Sequence, residues 1–251
     1  MRPMTRDDEA SREKPPPLAL GLVGGLGPGA TVHYYEALAK AFAARGLAPR
    51  LFISHANFSL VMAHINAGAR DALADYLADH VGCLSRAGAD FMAIGAVAPH
   101  ICADQLRARI QSPLVDITDC VAAELKRRGA RRVAVLGART VMESAMYGRL
   151  GRFDVVELEP GARDFVQQNY TQLAASGRAA GADVEGLRRV AKALVADRGV
   201  DTVILAGTDL SLVFRESDCG FPALDCARAH LDLLTAYAFG DLPLPIGEER
   251  S

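Results

Sequence analysis

The sequence predicts an α/β protein of two similar lobes, each built on a parallel sheet, with a ligand site in the cleft between them. Three observations carry this. From Leu18 onward, short apolar runs alternate with longer amphipathic stretches, the pattern of strands feeding crossover helices. Gly88-Ala89-Asp90-Phe91-Met92-Ala93-Ile94-Gly95-Ala96-Val97-Ala98 returns 111 positions on as Gly199-Val200-Asp201-Thr202-Val203-Ile204-Leu205-Ala206-Gly207-Thr208-Asp209. Each copy leads from a Gly-x-Asp turn through an apolar run to very small residues, as a buried parallel strand does when its carboxyl end opens into a cleft. Val23, Gly25 and Tyr35 match Val135, Gly137 and Tyr147, 112 positions on. The shared order is strand, glycine turn, then a helix carrying a tyrosine. Two such copies imply a pseudo-twofold axis and a site with two equivalent strand ends.

In chain order, residues 1–17 are charged and end in three prolines. They bury too little apolar surface to fold and lack the apolar stretch of a secretory signal, so a disordered leader is expected. Predicted strands are Ala19–Val23, Leu51–Ser54, Phe91–Ile94, Arg132–Leu136, Val155–Leu158 and Thr202–Leu205. Each is a short apolar run bounded by turn residues. Between them, apolar residues at helical spacing predict helices over Val32–Arg45, Ala69–Ala87, Asp119–Arg128, Ala162–Ser176 and Glu185–Asp197. The first lobe is expected at 18–117 and the second at 118–218, with the tail 219–245 returning to complete the first.

Composition narrows the function. The chain has 251 residues, half of them hydrophobic, and a formal net charge of −2. That size supports a substantial core, and that charge gives no reason to expect nucleic acid or an anionic membrane as partner. No run reaches the length of a spanning helix. Cys83, Cys102, Cys120, Cys219 and Cys226 are odd in number, contain no C-x-x-C and match no zinc framework. Reduced thiols and a cytoplasmic location are expected.

Gly24-Gly25-Leu26-Gly27-Pro28-Gly29-Ala30-Thr31 follows the first strand and opens a helix. Glycines let backbone N–H groups approach an anion, and a helix N-terminus favours negative charge. The order of glycines is wrong for a dinucleotide, and Pro28 removes an N–H that a phosphate would need. The second strand ends in Ser54-His55 without an acid for a ribose. No G-K-[ST] is present. A carboxylate is the more natural ligand, and a plain strand-to-helix turn is the alternative. By the rule for open α/β sheets, the cleft is expected between Gly24–Thr31, Ser54–Asn57, Gly95–His100 and Ala206–Ser211, with Gly137–Met142 as a fifth segment.

Together these segments resemble the aspartate/glutamate racemase superfamily, which also holds hydantoin racemase, maleate isomerase and arylmalonate decarboxylase. The glycine turn is similar to the family's G-G-M-G-P-x-A-T, continued by Tyr34-Tyr35-Glu36. Ile94-Gly95-Ala96-Val97-Ala98-Pro99-His100 stands where the family has I-P-C-N-T-x-H. Leu205-Ala206-Gly207-Thr208-Asp209-Leu210 stands where it has L-G-C-T-E-L. Arg132 to Thr140 with Met142-Glu143, and Pro222-Ala223-Leu224-Asp225 with His230, are similar to the second lobe's opening and the closing segment. The resemblance implies two flavodoxin-like lobes, a homodimer, no cofactor, and a substrate held between two cysteines that take and return a Cα proton. No metal, flavin, nicotinamide or pyridoxal site is suggested.

Both cysteine positions are lost here, to Ala96 and Gly207, and the adjoining Asn and Thr are replaced by Val97 and Ala98. Two-thiol racemisation cannot run through these positions, and a larger, more apolar site is expected. Three residues are candidates to replace the thiols. Asp209 either acts as a base or orients an amine if burial raises its pKa, or it caps the following helix. His100 is an acid–base candidate or a stabiliser of its loop. His55 ends the second strand and is either a new catalytic group or structural. Gly25, Thr31, Asn57, Ala96, Val97, Ala98, Gly207 and Thr208 are expected to line or hold the substrate, with Tyr147 closing over it. Cys102 is expected to be a buried apolar residue.

The sequence reading is therefore a divergent enzyme acting on a carboxylate- or carbonyl-containing small molecule without cysteine, by isomerisation, cyclisation or elimination. A catalytically silent homologue that binds a metabolite or partner protein is the second reading. A racemase with relocated acids and bases is the third.

Overall fold

The structure, a computed structural model, describes residues 16–245. The first half lays down β1 (Leu20–Gly24), α1 (Pro28–Ala43), β2 (Leu51–His55), α2 (Phe58–Asn66), α3 (Arg70–Arg86), β3 (Phe91–Ile94), α4 (Ala103–Arg107) and β4 (Leu114–Val115). The second half follows with α5 (Ile117–Arg128), β5 (Arg132–Gly137), α6 (Arg139–Glu143), β6 (Asp154–Val155), α7 (Pro160–Ser176), α8 (Gly181–Arg198), β7 (Thr202–Ala206), β8 (Ala223–Asp225) and α9 (Cys226–Ala238). Two 3₁₀ turns, Ala98–Cys102 and Thr208–Leu212, follow β3 and β7.

Two parallel four-stranded sheets result, ordered β2-β1-β3-β4 and β6-β5-β7-β8. The orders are the same, so the internal repeat read from the sequence is a repeat of topology. β1 pairs Leu20 with Leu51 on one side and Phe91 on the other. β5 pairs Val133 with Val155 and Thr202. Both central strands therefore point their glycine-ended carboxyl termini the same way as their neighbours. β1, β3 and β7 are buried along their whole length, which is why they read as unbroken apolar runs.

Several boundaries differ from the sequence expectation. The returning tail divides: β8 completes the second sheet, while α9 packs Ala227, Leu231 and Leu234 into the first lobe's core. The 219–245 segment is thus shared between lobes. α5 sends Ile117, Val121 and Leu125 into the second lobe's core. The strand expected at Val155–Leu158 is confined to Asp154–Val155. α1 starts four residues before the expected Val32, with Pro28 in its first turn, where a missing N–H costs nothing. The expected leader, 1–17, lies outside the described residues except for its last two.

The two crossings repeat each other. Asp116 after β4 caps α5, accepting the Thr118 N–H at 2.8 Å. Asp225, the last residue of β8, caps α9, accepting the Ala227 N–H at 2.9 Å. Such caps stabilise by about 1 kcal/mol each. His230 anchors α9 to the first lobe, with Nδ1 2.9 Å from the Tyr34 hydroxyl and Nε2 3.1 Å from the Val115 carbonyl oxygen. Burial pulls its pKa down to about 3, so it is neutral. Among the described residues, no helix is long and apolar enough to cross a membrane.

Candidate active site

The first element of the site is the turn between β1 and α1. Gly25 (φ 81°) and Gly27 (φ 147°) adopt backbone conformations closed to most side chains. Thr31 locks the turn: its hydroxyl accepts the Gly25 N–H at 2.9 Å and donates to the Gly27 carbonyl at 3.2 Å. Gly27 is needed for space as well as for φ. A Cβ there would stand 2.7 Å from both carboxylate oxygens of Asp209. The turn thus admits a carboxyl group from the opposite lobe to the N-terminus of α1.

Asp209 sits in the 3₁₀ turn after β7 and is 1% exposed. Neither of its oxygens has a hydrogen-bond partner. Burial pushes the carboxyl up to about 7. The N–H groups of Ala30 and of Asp209 itself pull the other way, but they face the carboxyl from outside hydrogen-bonding geometry. The residue does not cap the turn that follows it. A buried carboxyl with no structural partner, titrating near neutrality, has the properties of an acid–base group.

Around it, the two equivalent strand ends meet. The Thr208 hydroxyl donates to the Gly95 carbonyl at 3.1 Å, joining the end of β7 to the end of β3. Ala96, Val97 and Ala98 present only apolar side chains, Ala96 and Val97 buried. At Gly207 the vacated side-chain space is filled. A Cβ there would overlap the ring of Tyr170, which reaches over from α7. The expected enlargement therefore fails at Gly207. Burial, and then Asp209, raise the Tyr170 phenol well above its ordinary pKa.

His100 lies beneath the first strand end. Its Nδ1 is 2.9 Å from the Ala96 carbonyl and its Nε2 is 3.7 Å from the Asp116 carboxylate, both side chains being buried. Burial pushes the Asp116 carboxyl up, but His100, Thr118 and Arg107 together hold it down to about 2. This geometry fixes the backbone that carries Ala96. Tyr147 comes from the second lobe and donates its hydroxyl to the Ala98 carbonyl at 2.9 Å. It does not ride on a helix, as the internal repeat suggested. α6 stops at Glu143, and Ala145, Met146 and Tyr147 are all left-handed, with φ of 48°, 53° and 59°. Such residues cost on the order of 1–2 kcal/mol each. The buried Met146 side chain and the Tyr147 N–H donated to Ser144 Oγ at 3.0 Å hold the turn in place.

The remaining sequence candidates fall outside the cleft wall. His55 is exposed and its ring lies against Gly25. Asn57 caps α2, accepting the Leu60 N–H at 3.1 Å. Cys102 donates to the Pro99 carbonyl, and burial raises its thiol to about 12, so it is not a nucleophile at neutral pH. The apolar wall of the cleft comes from α2 and α7, which the sequence reading did not include. Phe58, Val61, Met62 and Ile65 face Tyr170, Thr171 and Ala174 across Leu26, Ala96, Ala98 and Ala138. The one signal for this was helical spacing: Phe58, Met62 and Ile65, and Gln167, Tyr170, Thr171 and Ala174, each form one helix face.

Two parallel four-stranded lobes of one topology define the class of two-lobed racemase folds. The chain belongs to the Asp/Glu/hydantoin racemase family, whose sequence profile matches residues 23–234. Solved structures agree. A candidate Asp/Glu racemase from Yersinia pestis is 25% identical, with a TM-score of 0.77 over 88% of this chain and 99% of that one. An aspartate racemase homologue from Pyrococcus horikoshii is also 25% identical, with a TM-score of 0.73 over 88% and 98%. The aspartate racemase of Picrophilus torridus shares the fold at 18% identity, with a TM-score of 0.70 over 89% and 94%.

Proposed function

We propose that this chain is a cysteine-independent enzyme of the family, an isomerase or lyase, that moves a proton with Asp209 on a carboxylate- or carbonyl-containing small molecule. The observation that carries this reading is the Asp209 carboxyl: buried, without a partner, and raised to about 7. Near neutrality both of its forms are populated. The carboxylate takes a proton from carbon next to a carbonyl, and the resulting acid returns it. The positive end of α1 stabilises the enolate charge that develops between these steps. Return to a different carbon gives isomerisation, loss of a leaving group gives elimination, and attack of the enolate carbon on a second carbonyl of the same molecule, whose π bond breaks and whose oxygen takes the proton back from Asp209, gives cyclisation. With one base in place of two thiols, proton removal and return share one face of the substrate. His100 and Tyr147 hold the strand ends, and Thr208 ties them together.

The test is proton exchange followed by NMR in D₂O across a panel of carboxylic and keto acids. Asp209→Asn is expected to lower exchange or turnover by about 10²–10⁴-fold, the range for loss of a general acid–base group. His55→Ala is expected to change it only a few-fold. Full turnover in Asp209→Asn would end the assignment. The ring of Tyr170 in the thiol's place supports a second reading, a homologue that binds ligand without turnover. Conversion of a bound ligand, abolished by Asp209→Asn, excludes it.

A further inference from the structure

We propose that the polar cavity beside the Ala98–Cys102 turn is a second binding site, taking a small hydroxylated anion, a carboxylate or a phosphate, that bridges the two lobes. The proposal does not depend on the acid–base role of Asp209.

The cavity holds about 330 Å³, within the ~300–1,000 Å³ span of small-molecule sites. It shares no lining residue with the chamber between α2 and α7, and Asp209 is not part of its wall. The first lobe supplies Arg70, at the start of α3, and Gln105, on α4. The second lobe supplies Ser144 and Arg149, which flank the left-handed turn Ala145–Tyr147. Strained backbone of this kind persists where the surroundings hold it, ligand clamps among them.

The charges on the wall favour an anion. Among the described residues, neither the Arg70 guanidinium nor the Gln105 amide has a hydrogen-bond or ion-pair partner. Arg70 is exposed at the rim, and its charge reaches inward. Burial raises the Tyr147 phenol to about 12, and Arg70 is among the groups that pull it back. The carboxylates nearby are already met. Asp119 lies 3.0 Å from Arg107 and 3.1 Å from Arg149, and Asp116 lies 2.8 Å from Arg107. Asp104, the acidic residue of the wall, stands 3.5 Å from Arg107 and 3.7 Å from Arg149. The wall's charge left without a counter-ion is therefore the Arg70 guanidinium, whose planar fork suits a carboxylate or a phosphate. Hydroxyls on the ligand find the Gln105 amide, which both donates and accepts. At the bottom, buried His100 gives Nδ1 to the Ala96 carbonyl and leaves Nε2 without a hydrogen-bond partner. Tyr147, on the same wall, holds the Ala98 carbonyl. An anion held by Arg70 and Arg149 thus braces the strand end that the first lobe brings to the cleft.

The experiment is calorimetric titration of the full chain at low salt with gluconate and glycerol phosphate, set against glucose and glycerol. One of the two anions is expected to bind saturably at one site, at least about tenfold more tightly than its neutral analogue, and the tighter anion tells carboxylate from phosphate. Arg70→Ala and Arg149→Ala, in variants whose melting curves show them folded, are each expected to weaken that binding by about tenfold or more. Arg70 holds no other side chain, so its removal is expected to leave the melting temperature of the free protein unchanged. Asp209→Asn is expected to bind the anion as the parent does. Binding of neither anion, equal binding of the neutral analogue, or undiminished binding in either arginine variant overturns the proposal. Binding lost in Asp209→Asn and kept in Arg70→Ala places the anion in the cleft and overturns it as well. None of these readouts requires turnover, so failure here is separable from failure of the acid–base reading.

Discussion

A carboxyl group buried without a partner destabilises the fold whenever it is ionised, and Asp209 is such a group. Its ordinary value is 3.8 and its folded value about 7. Between these the unfolded chain has released the proton and the native chain still holds it, so stability falls as pH rises through this window. Above it the loss approaches roughly 4 kcal/mol, from about 1.4 kcal/mol per pH unit. Asp209→Asn is therefore expected to be more stable than the parent at pH 8, with the difference closing by pH 4. Denaturant melts at the two pH values check this, and a difference independent of pH would contradict it. In the sequence Asp209 stood out two residues past Gly207, where the resembled family has Glu, and the structure shows the burial that the sequence could not. His55 stood out only by ending the second strand, and it is exposed with its ring against Gly25, because strand position alone does not give side-chain direction.

At the scale of elements, α7 carries the main surprise. Tyr170 projects from the middle of this helix into space that Gly207 leaves on β7. The two residues are 37 positions apart in the sequence, and no local pattern links them. The packing makes a sharp prediction. Gly207→Cys alone is expected to destabilise by about 1–3 kcal/mol or more through overpacking. Combined with Tyr170→Ala, it is expected to lose most of that extra penalty. A double-mutant cycle measures the coupling, and additive effects would contradict the account. The long amphipathic helices α3, α5, α7 and α8 were readable from their spacing. β4 and β8 were not, because two or three residues carry no periodicity. α9 was hidden for another reason: Cys226, Ala227, Ala229, His230 and Leu231 are all buried, so its stripe is too broad to read as amphipathic.

Over the whole molecule, the two lobes complete each other. α5 leaves the first sheet to pack in the second core, and α9 leaves the second sheet to pack in the first. The helices also pack against one another. Neither lobe has a finished core alone, so a single cooperative unfolding transition is expected, with fluorescence and circular dichroism coincident. Asp225→Ala, which removes the cap at one crossing, is expected to lower stability by about 1 kcal/mol without splitting the transition. Two separated transitions would contradict the interlocked arrangement. The repeat itself was legible because both copies are bounded by the same glycine turns. The exchange of helices was not, since it depends on where each chain goes after an aspartate that looks the same in either case.

In the proposed mechanism one carboxyl group stands in for a lost pair of thiols. The most direct test is a carboxyl ¹³C NMR titration of the full chain labelled at aspartate, with the Asp209 resonance assigned by its absence in Asp209→Asn. A midpoint near pH 7 is the expected result. A midpoint at or below pH 4, the range of an ordinary solvated aspartate, would contradict it.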